Sequence, residues 1–189
     1  IEDLLVVEVE APTAEIDVQG NGLSIMDGDA SPRLADGTEF GTIEVGTSPA
    51  AHAFTIRNTG TAPLSLTGSP CVSLTGSEAG DFAVEQPSVS TLPAGGQASF
   101  AVTFTARAPG DRIATLRIPN NDSNENPYDI TIKGTGAAIV IITPTPFTFT
   151  DVTGAEVSSV YTSNQITVSG INAAATISVS GGTYSVNGG

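Results

Sequence analysis

The clearest hydrophobic pattern in the chain is a two-residue alternation in residues 97–106. Phe100, Val102 and Phe104 alternate there with small or hydroxyl-bearing residues. Because successive side chains of a strand point to opposite faces, this alternation predicts a strand with one face in a core and the other in water. Residues 112–118 alternate in the same way, with one apolar set predicted to point inward: Ala114, Leu116 and Ile118.

Further short strands are predicted between turn sequences that are rich in Gly, Pro, Asn and Ser. They cover residues 15–18, 40–45, 53–58, 64–66, 72–75, 82–84 and 128–133. The polar segment 20–41 holds several turn signals and is predicted to be a long loop. Short strands at this spacing favour a β-sandwich of the immunoglobulin-like type over residues 14–137.

Residues 1–13 are predicted to form an extended N-terminal arm. Pro12 interrupts the strand pattern, because proline has no amide hydrogen to donate to a neighbouring strand. The arm has apolar side chains on both faces, and we interpret it as a strand that is donated to another molecule. Leu5, Val7 and Val9 lie on one face, and Leu4 and Val6 on the other.

The β pattern restarts in residues 138–189, which predicts a second β unit. Its roughly fifty residues supply about four or five strands, whereas an immunoglobulin-type sandwich needs about seven. We therefore expect an incomplete β-sandwich that accepts a strand from elsewhere. The apolar residues predicted to line this acceptor are Ile139, Ile141, Phe147, Phe149, Ile166 and Val168.

Composition supports an all-β class. The chain has 189 residues, with 21 Gly and 12 Pro, and no segment has the pattern of a long helix. The formal net charge of −14 would repel nucleic acid and anionic membranes. The longest apolar run, residues 137–142, is far shorter than the ~20 residues of a membrane-spanning helix, so we expect no membrane insertion.

The sequence gives no pattern for catalysis. His52 is the only histidine and has no nucleophile motif near it, so we expect an ordinary packing or surface role. Cys71 is the only cysteine, which excludes an intrachain disulfide, and we expect a small, half-buried side chain. Phosphate-binding glycine motifs are absent, and the chain has no tryptophan for a sugar platform. An enzyme is not expected.

Two groups of acidic residues are candidates for a calcium site. Carboxylate oxygens beside a glycine bend or an Asn-rich turn are the ligands that Ca²⁺ prefers, although neither group has EF-hand spacing. Solvated turns are the alternative interpretation. No other cofactor is expected. The candidate ligands are Asp27, Asp29, Asp36 and Glu39 in the first group, and Asp122 and Glu125 in the second.

Several short motifs together carry a family resemblance over residues 14–137. They are Phe40-Gly41, Asn58-Thr59-Gly60, Pro93-Ala94-Gly95-Gly96, Asn120-Asn121-Asp122 and the closing Gly134-Thr135-Gly136. The segment resembles the Hydin-type (ASH-like) immunoglobulin domain of bacterial choice-of-anchor D surface proteins. Residues 145–189 resemble part of a bacterial immunoglobulin-like surface repeat. The resemblance implies an extracellular multidomain appendage and no catalytic residues.

Three functional hypotheses follow. The first is a filament subunit at the cell surface, which assembles head to tail by strand donation between copies of the chain. The second is a fragment of a long adhesin stalk, in which adjacent domains of the same protein complete the second unit. Because the chain starts at Ile1 without an initiator Met, we expect a processed product or a fragment. The third is an adhesin that binds a ligand through residues 23–38 and 120–127.

Overall fold

The computed structural model describes residues 11–150, 153–179, 183, 185 and 186. The chain divides after Ala138 into two units, here called unit 1 and unit 2. Within the described part of the chain, no helix is long and apolar enough to cross a membrane. Unit 1 contains all of the strands that the structure assigns to the described residues.

Unit 1 is a β-sandwich, and its only helical element among the described residues is a 3₁₀ turn at Ala79–Asp81. The strands are β1 Ile16–Gly20, β2 Leu23–Ile25, β3 Glu39–Glu44, β4 Ala50–Asn58, β5 Leu64–Ser65, β6 Ser73–Thr75, β7 Phe82–Glu85, β8 Thr91–Leu92, β9 Gln97–Phe104, β10 Gly110–Ile118 and β11 Tyr128–Ala137.

Two sheets enclose the core of unit 1. One has the order β2-β1-β4-β9-β7, the other the order β3-β11-β10-β6, and β5 pairs with β8. All pairs are antiparallel except β3 with β11, which are parallel. The buried residues include the two apolar sets predicted for the strands that became β9 and β10. The predicted all-β, immunoglobulin-like sandwich is therefore confirmed.

One predicted loop contains a hairpin. Residues 20–41 were expected to be a long loop, but β2 lies within them and pairs with β1. Asn21 and Gly22 connect the two strands with φ values of 52° and 78°. Positive φ at both central residues is the geometry of a type I′ turn, which the Asn-Gly pair favours. Ile25, at the end of β2, is fully buried.

The last strand is longer than expected. A strand over residues 128–133 was predicted, followed by a glycine-rich end, but β11 continues to Ala137. Its glycines remain in the sheet because the core leaves no room for side chains: a Cβ at Gly134 would overlap the ring of Phe104. Gly136 pairs with Gly110 of β10 and Ile43 of β3.

The chain enters and leaves unit 1 at opposite ends of the sandwich. At one end, the Thr13 carbonyl oxygen accepts hydrogen bonds from the N–H groups of Thr61 and Ala62, at 2.8 and 2.9 Å. Tyr128, at the start of β11, lies near this end, because it lines the same cleft as Glu15. At the other end, Ala137 accepts a hydrogen bond from Val45. The nine steps of β11 separate the two ends by roughly 30 Å.

Unit 2 was expected to be an incomplete β-sandwich, and its described residues lack the four or five strands predicted for it. Residues 139–150, 153–179, 183, 185 and 186 form no assigned strand. Most of its large apolar side chains are exposed, among them Ile141, Phe147 and Val168. The predicted strands are too few to cover one another, and a pair of strands alone is marginal in water. The alternating pattern is therefore present without a closed core.

A substitution at Gly134 tests the packing of β11 on Phe104. We expect Gly134→Ala to lower the free energy of unfolding by about 1–3 kcal/mol, because the methyl group overfills the core. Gly80→Ala is the matched control, since a Cβ at Gly80 meets no other atom within 4 Å. Urea denaturation measures both. Equal stability of the two variants would contradict the tight contact.

Candidate functional site

An acidic cluster forms where the entrance to β1 meets the loop between β10 and β11. Glu15 precedes β1, while Asp122 and Glu125 belong to the loop. Each of the three contributes a carboxylate oxygen, and these oxygens all lie within 4.8 Å of one another. Three oxygens at this spacing can hold a hard cation such as Ca²⁺. The cluster is therefore the candidate functional site of unit 1.

Asp122 is held in place by backbone hydrogen bonds. Its side chain is buried, and Oδ2 accepts a hydrogen bond from the N–H of Ile16 at 3.0 Å. Oδ1 accepts from the N–H of Asn124 at 3.3 Å. The Asn120 carboxamide oxygen accepts from the N–H of Asp122 itself, at 2.7 Å. Asp122 thus joins the loop to the first strand, whatever else it binds.

The cluster borders a cleft of about 390 Å³. Glu15 and Glu125 line it together with Asp17 and Asp27, so its charged lining is acidic. Tyr128 forms part of the wall, and its hydroxyl donates a hydrogen bond to the carbonyl oxygen of Ile25. Burial, followed by the nearby carboxylates, raises the pKa of Tyr128, so its hydroxyl stays protonated. The cleft presents negative charge and a fixed phenol.

The surroundings of Glu125 disfavour the ionised form of its side chain. Burial is the largest cause that raises its pKa, and the charges of Asp122, Glu15, Asp27 and Asp17 raise it further. The ionised side chain therefore destabilises the folded protein at neutral pH. A bound cation would remove this cost, and so would protonation.

The structure brings together part of the predicted calcium ligands. Asp122 and Glu125 meet as predicted within one loop, and Asp27 lines the cleft beside them. Glu15 was missed, because it reaches the loop only where the entrance to β1 in one sheet meets the loop between β10 and β11 of the other sheet, through the hydrogen bond from Ile16 to Asp122. Glu39 begins β3 and is not a member of the cluster.

Asp29 and Asp36 bind an arginine instead. Both carboxylates form ion pairs with Arg33, and the Nε of Arg33 lies 2.9 Å from Oδ2 of Asp36. The Thr38 hydroxyl donates to the other oxygen of Asp36 at 2.6 Å. Burial tends to raise the pKa of Asp36, but the bonds from Thr38 and Arg33 and the charge of Arg33 outweigh it and lower the pKa. These residues stabilise the 29–38 loop.

The predicted assembly residues lie at the two ends of the sequence. The donor residues Leu4, Leu5, Val6, Val7 and Val9 lie outside the described residues. The predicted acceptor residues are all in unit 2 and none is buried. Ile166 is half-buried, and the others are exposed: Ile139, Ile141, Phe147, Phe149 and Val168.

His52 and Cys71 have the packing roles predicted for them. The His52 ring stacks on Phe40 with ring centroids 4.2 Å apart, and its Nδ1 lies 2.7 Å from the carbonyl oxygen of Gly37. Cys71 is a free, half-buried thiol that packs against the core.

A family model matches residues 33–135 of the chain, and its description is a HYDIN/CFA65/VesB-like, Ig-like domain. The matched region covers β3 to β11 of unit 1, apart from the last two residues of β11. The matched family is an immunoglobulin-like domain and not a catalytic one. No curated protein sequence matches the chain. The narrower resemblance to choice-of-anchor D proteins stays a prediction.

Solved structures similar to the chain include bacterial and human proteins. A Porphyromonas gingivalis protein of unknown function matches with 15% identity, a TM-score of 0.45 and coverage of 71% of this chain and 51% of that one. This chain therefore spans about half of its length. The Vibrio cholerae VesB protease matches with 18% identity, a TM-score of 0.38 and coverage of 52% and 29%. The ASH/PapD-like domain 7 of human CEP192 matches with 15% identity, a TM-score of 0.37 and coverage of 74% and 95%.

Replacing Glu125 tests the repulsion within the cluster. We expect Glu125→Gln to raise the free energy of unfolding at pH 7, because the folded-state pKa of Glu125 is raised. The gain should disappear as the pH falls below the ordinary glutamate pKa, where both side chains are neutral. Thermal unfolding at several pH values measures this. A gain that is constant with pH would contradict the electrostatic cause.

Proposed function

The chain belongs to the HYDIN/CFA65/VesB-like, Ig-like domain family, and we propose that it is a structural subunit of an extracellular bacterial filament or surface appendage. In this proposal, copies assemble head to tail. The N-terminal arm of one copy completes the β unit at the C-terminal side of another, and no catalysis is involved. The family resemblance to surface proteins belongs to the same proposal.

The observation that carries the proposal is the placement of the two attachments on unit 1. The arm joins the sandwich near Thr13, and unit 2 begins after Ala138, beside the end that holds Ala137. These ends are separated by the length of β11, roughly 30 Å. A donor at one end and an acceptor at the other give a heterologous contact, which repeats into an open filament when the rotation does not close.

The exposed apolar side chains of unit 2 provide the driving force. Phe147 and Phe149 are 44% and 53% exposed, and unit 2 has no second layer to cover them in the described residues. Burying Leu5, Val7 and Val9 of a donated strand contributes about 1.5–3 kcal/mol for each side chain before the cost of ordering. The added strand would also supply backbone hydrogen bonds.

The charge distribution is compatible with assembly outside the cell. All six cationic residues lie in residues 11–138, together with fourteen of the twenty acidic ones. Unit 2 carries only Asp151 and Glu156. An acidic, lysine-poor surface keeps single subunits soluble and does not attract nucleic acid. We therefore place the function at the cell surface.

A second candidate function is ligand binding at the acidic cleft. The loops 23–38 and 120–127 meet there, since Met26, Asp27 and Glu125 line the same cleft. This is the placement that an adhesin would need for both loops to contact one ligand. A calcium ion is the simplest ligand with the matching chemistry.

Deleting residues 1–10 tests the assembly. We expect the full chain to form filaments and the shortened chain to remain monomeric, as measured by negative-stain electron microscopy and analytical ultracentrifugation. Unit 1 should stay folded after the deletion, because the described core begins at Ile16. Glu8→Gln is a control that keeps the apolar faces of the arm. Monomers in all three samples would favour a stalk in which adjacent domains of one polypeptide complete unit 2.

Calcium titration tests the second candidate function. We expect Ca²⁺ to raise the melting temperature of the unmodified chain and to leave that of Glu125→Gln nearly unchanged. The reason is that one carboxylate ligand of the cluster is lost. Asp111→Asn is the control, since Asp111 lies outside the cluster and pairs with Lys133. Equal shifts in both variants, or no shift in any sample, would contradict binding at this cluster.

A further inference from the structure

Two segments of unit 2 run antiparallel although neither is an assigned strand. The N–H of Thr145 donates to the carbonyl oxygen of Ser169 at 2.8 Å, and the N–H of Asn172 donates to Ile141 at 3.0 Å. The N–H of Thr150 donates to the side chain of Asn164 at 2.7 Å. From pair to pair, the residue number rises in the first segment and falls in the second. Residues 141–150 and 164–172 therefore form an open ribbon.

The edges of this ribbon are not equivalent. Thr145 directs its N–H toward Ser169, so in an extended chain the backbone groups of its neighbours, Pro144 and Pro146, face the opposite side. Neither proline has an N–H to donate. A strand that approached the outer edge of residues 141–150 would find two successive outward positions without donors. That edge is closed to strand addition.

The other edge keeps its hydrogen-bonding groups. The carbonyl of Ser169 faces Thr145, so the backbone groups of Val168, and of Ile166 two residues earlier, face outward. Neither is a proline. Their side chains are 42% exposed at Val168 and half-buried at Ile166. This edge can extend the ribbon by one strand.

Resting on the proposed function, we infer that the outer edge of residues 164–168 is the acceptor edge and that it receives residues 4–9 of a second copy. The ribbon has apolar side chains on both faces. In an extended chain, Phe147 and Phe149 lie on one face, and Ile166 and Val168 belong to the face of even-numbered residues. A strand added to such a ribbon also needs apolar residues on both faces.

The arm meets this requirement. In an extended conformation, Leu5, Val7 and Val9 cover one face, and Leu4 and Val6 the other. The arm carries four acidic residues, and unit 2, with two acidic residues and no cation, repels it less than unit 1, whose described residues carry a net −8. The arm thus has apolar residues on both faces, as the ribbon requires, and the acidic residues of unit 2 repel it less than those of unit 1 do.

A second copy is the simplest source of the arm. With at most about 3.6 Å for each residue, Val9 lies within about 14 Å of Thr13, and Leu4 within about 32 Å. The end of unit 1 that leads into unit 2 is already roughly 30 Å away. Within its own chain the arm can therefore just reach the end of unit 1 from which unit 2 continues, whereas an arm from a second copy has no such limit.

Proline substitutions in the full chain distinguish the two edges. We expect Val168→Pro to lower the assembled fraction in ultracentrifugation about tenfold, because an outward N–H donor is lost from the acceptor edge. Ile142→Pro is the matched control, since Ile141 directs its N–H and its carbonyl oxygen toward Asn172, so residue 142 faces the same outer side as Pro144 and Pro146. It should assemble as the unmodified chain does.

Crosslinking gives a measurement that does not depend on the proline variants folding. One chain carries Val7→Cys and the other Val168→Cys, both with Cys71→Ser, and the mixture is treated with a short bis-maleimide. We expect a heterodimer on a denaturing gel. An Ile142→Cys chain in place of Val168→Cys should give none, because in the register of Thr145 with Ser169 residue 142 lies four residues away from the position opposite Val168.

The outcomes separate this inference from the proposed function. If the unmodified chain stays monomeric, the proposal of strand-donated assembly is wrong, and the inferred acceptor edge is then wrong as well. If the unmodified chain assembles but Val168→Pro assembles equally well and residue 168 gives no heterodimer, only the acceptor edge is wrong. Crosslinking at residue 142 and not at residue 168 would place the donated strand at the other edge and would overturn the inference in the same way.

Discussion

Every apolar strand needs cover for its side chains and partners for its backbone, and the two units meet this requirement differently. In unit 1, the two sheets bury each other's inner faces, with Phe54, Phe104 and Leu116 at most 1% exposed. In unit 2, the ribbon of residues 141–150 and 164–172 has neither a second layer in the described residues nor a partner for its outer edge. The contrast in burial, within one chain, is the physical basis for the proposal that unit 1 is a scaffold and unit 2 an acceptor.

The same requirement explains why unit 1 has an acidic cluster. The backbone N–H groups of the loop between β10 and β11 and of the first strand need hydrogen-bond acceptors. The Asp122 carboxylate provides them by accepting hydrogen bonds from the N–H groups of Ile16 and Asn124. Asn58 does the same for its turn, donating to the carbonyl oxygens of Ala62 and Leu92. Burial of Glu125, followed by the charge of Asp122 and the other nearby carboxylates, raises the pKa of Glu125. Structural demand therefore accounts for Asp122, one of the three carboxylates of the cluster.

The sandwich could be predicted from the sequence because alternation is a local signal. The alternation of Phe100, Val102 and Phe104 predicts which face of their strand is buried, without any knowledge of the neighbouring strands. The hairpin at Asn21-Gly22 was also signalled locally, by a dipeptide that favours a type I′ turn, but the polar residues around it concealed the short strand β2. Glu15 could not be placed beside Asp122, since the two residues are far apart in sequence and meet only through the sheet topology. The described residues of unit 2 form no assigned strand although their sequence alternates, because alternation indicates which face a side chain is on and not whether a second layer covers that face.

A ribbon with one closed edge also restricts the kind of assembly. If both edges accepted strands, each added strand would present a new edge, and lateral β-sheet growth would compete with ordered contacts. Pro144 and Pro146 remove one edge from this competition. In the proposed assembly, the arm, which Pro12 separates from the sandwich in the sequence, supplies one strand for each subunit. In the proposed assembly, donor and acceptor belong to opposite ends of the chain, so each subunit would make one contact forward and one backward, and growth would proceed along a line of subunits.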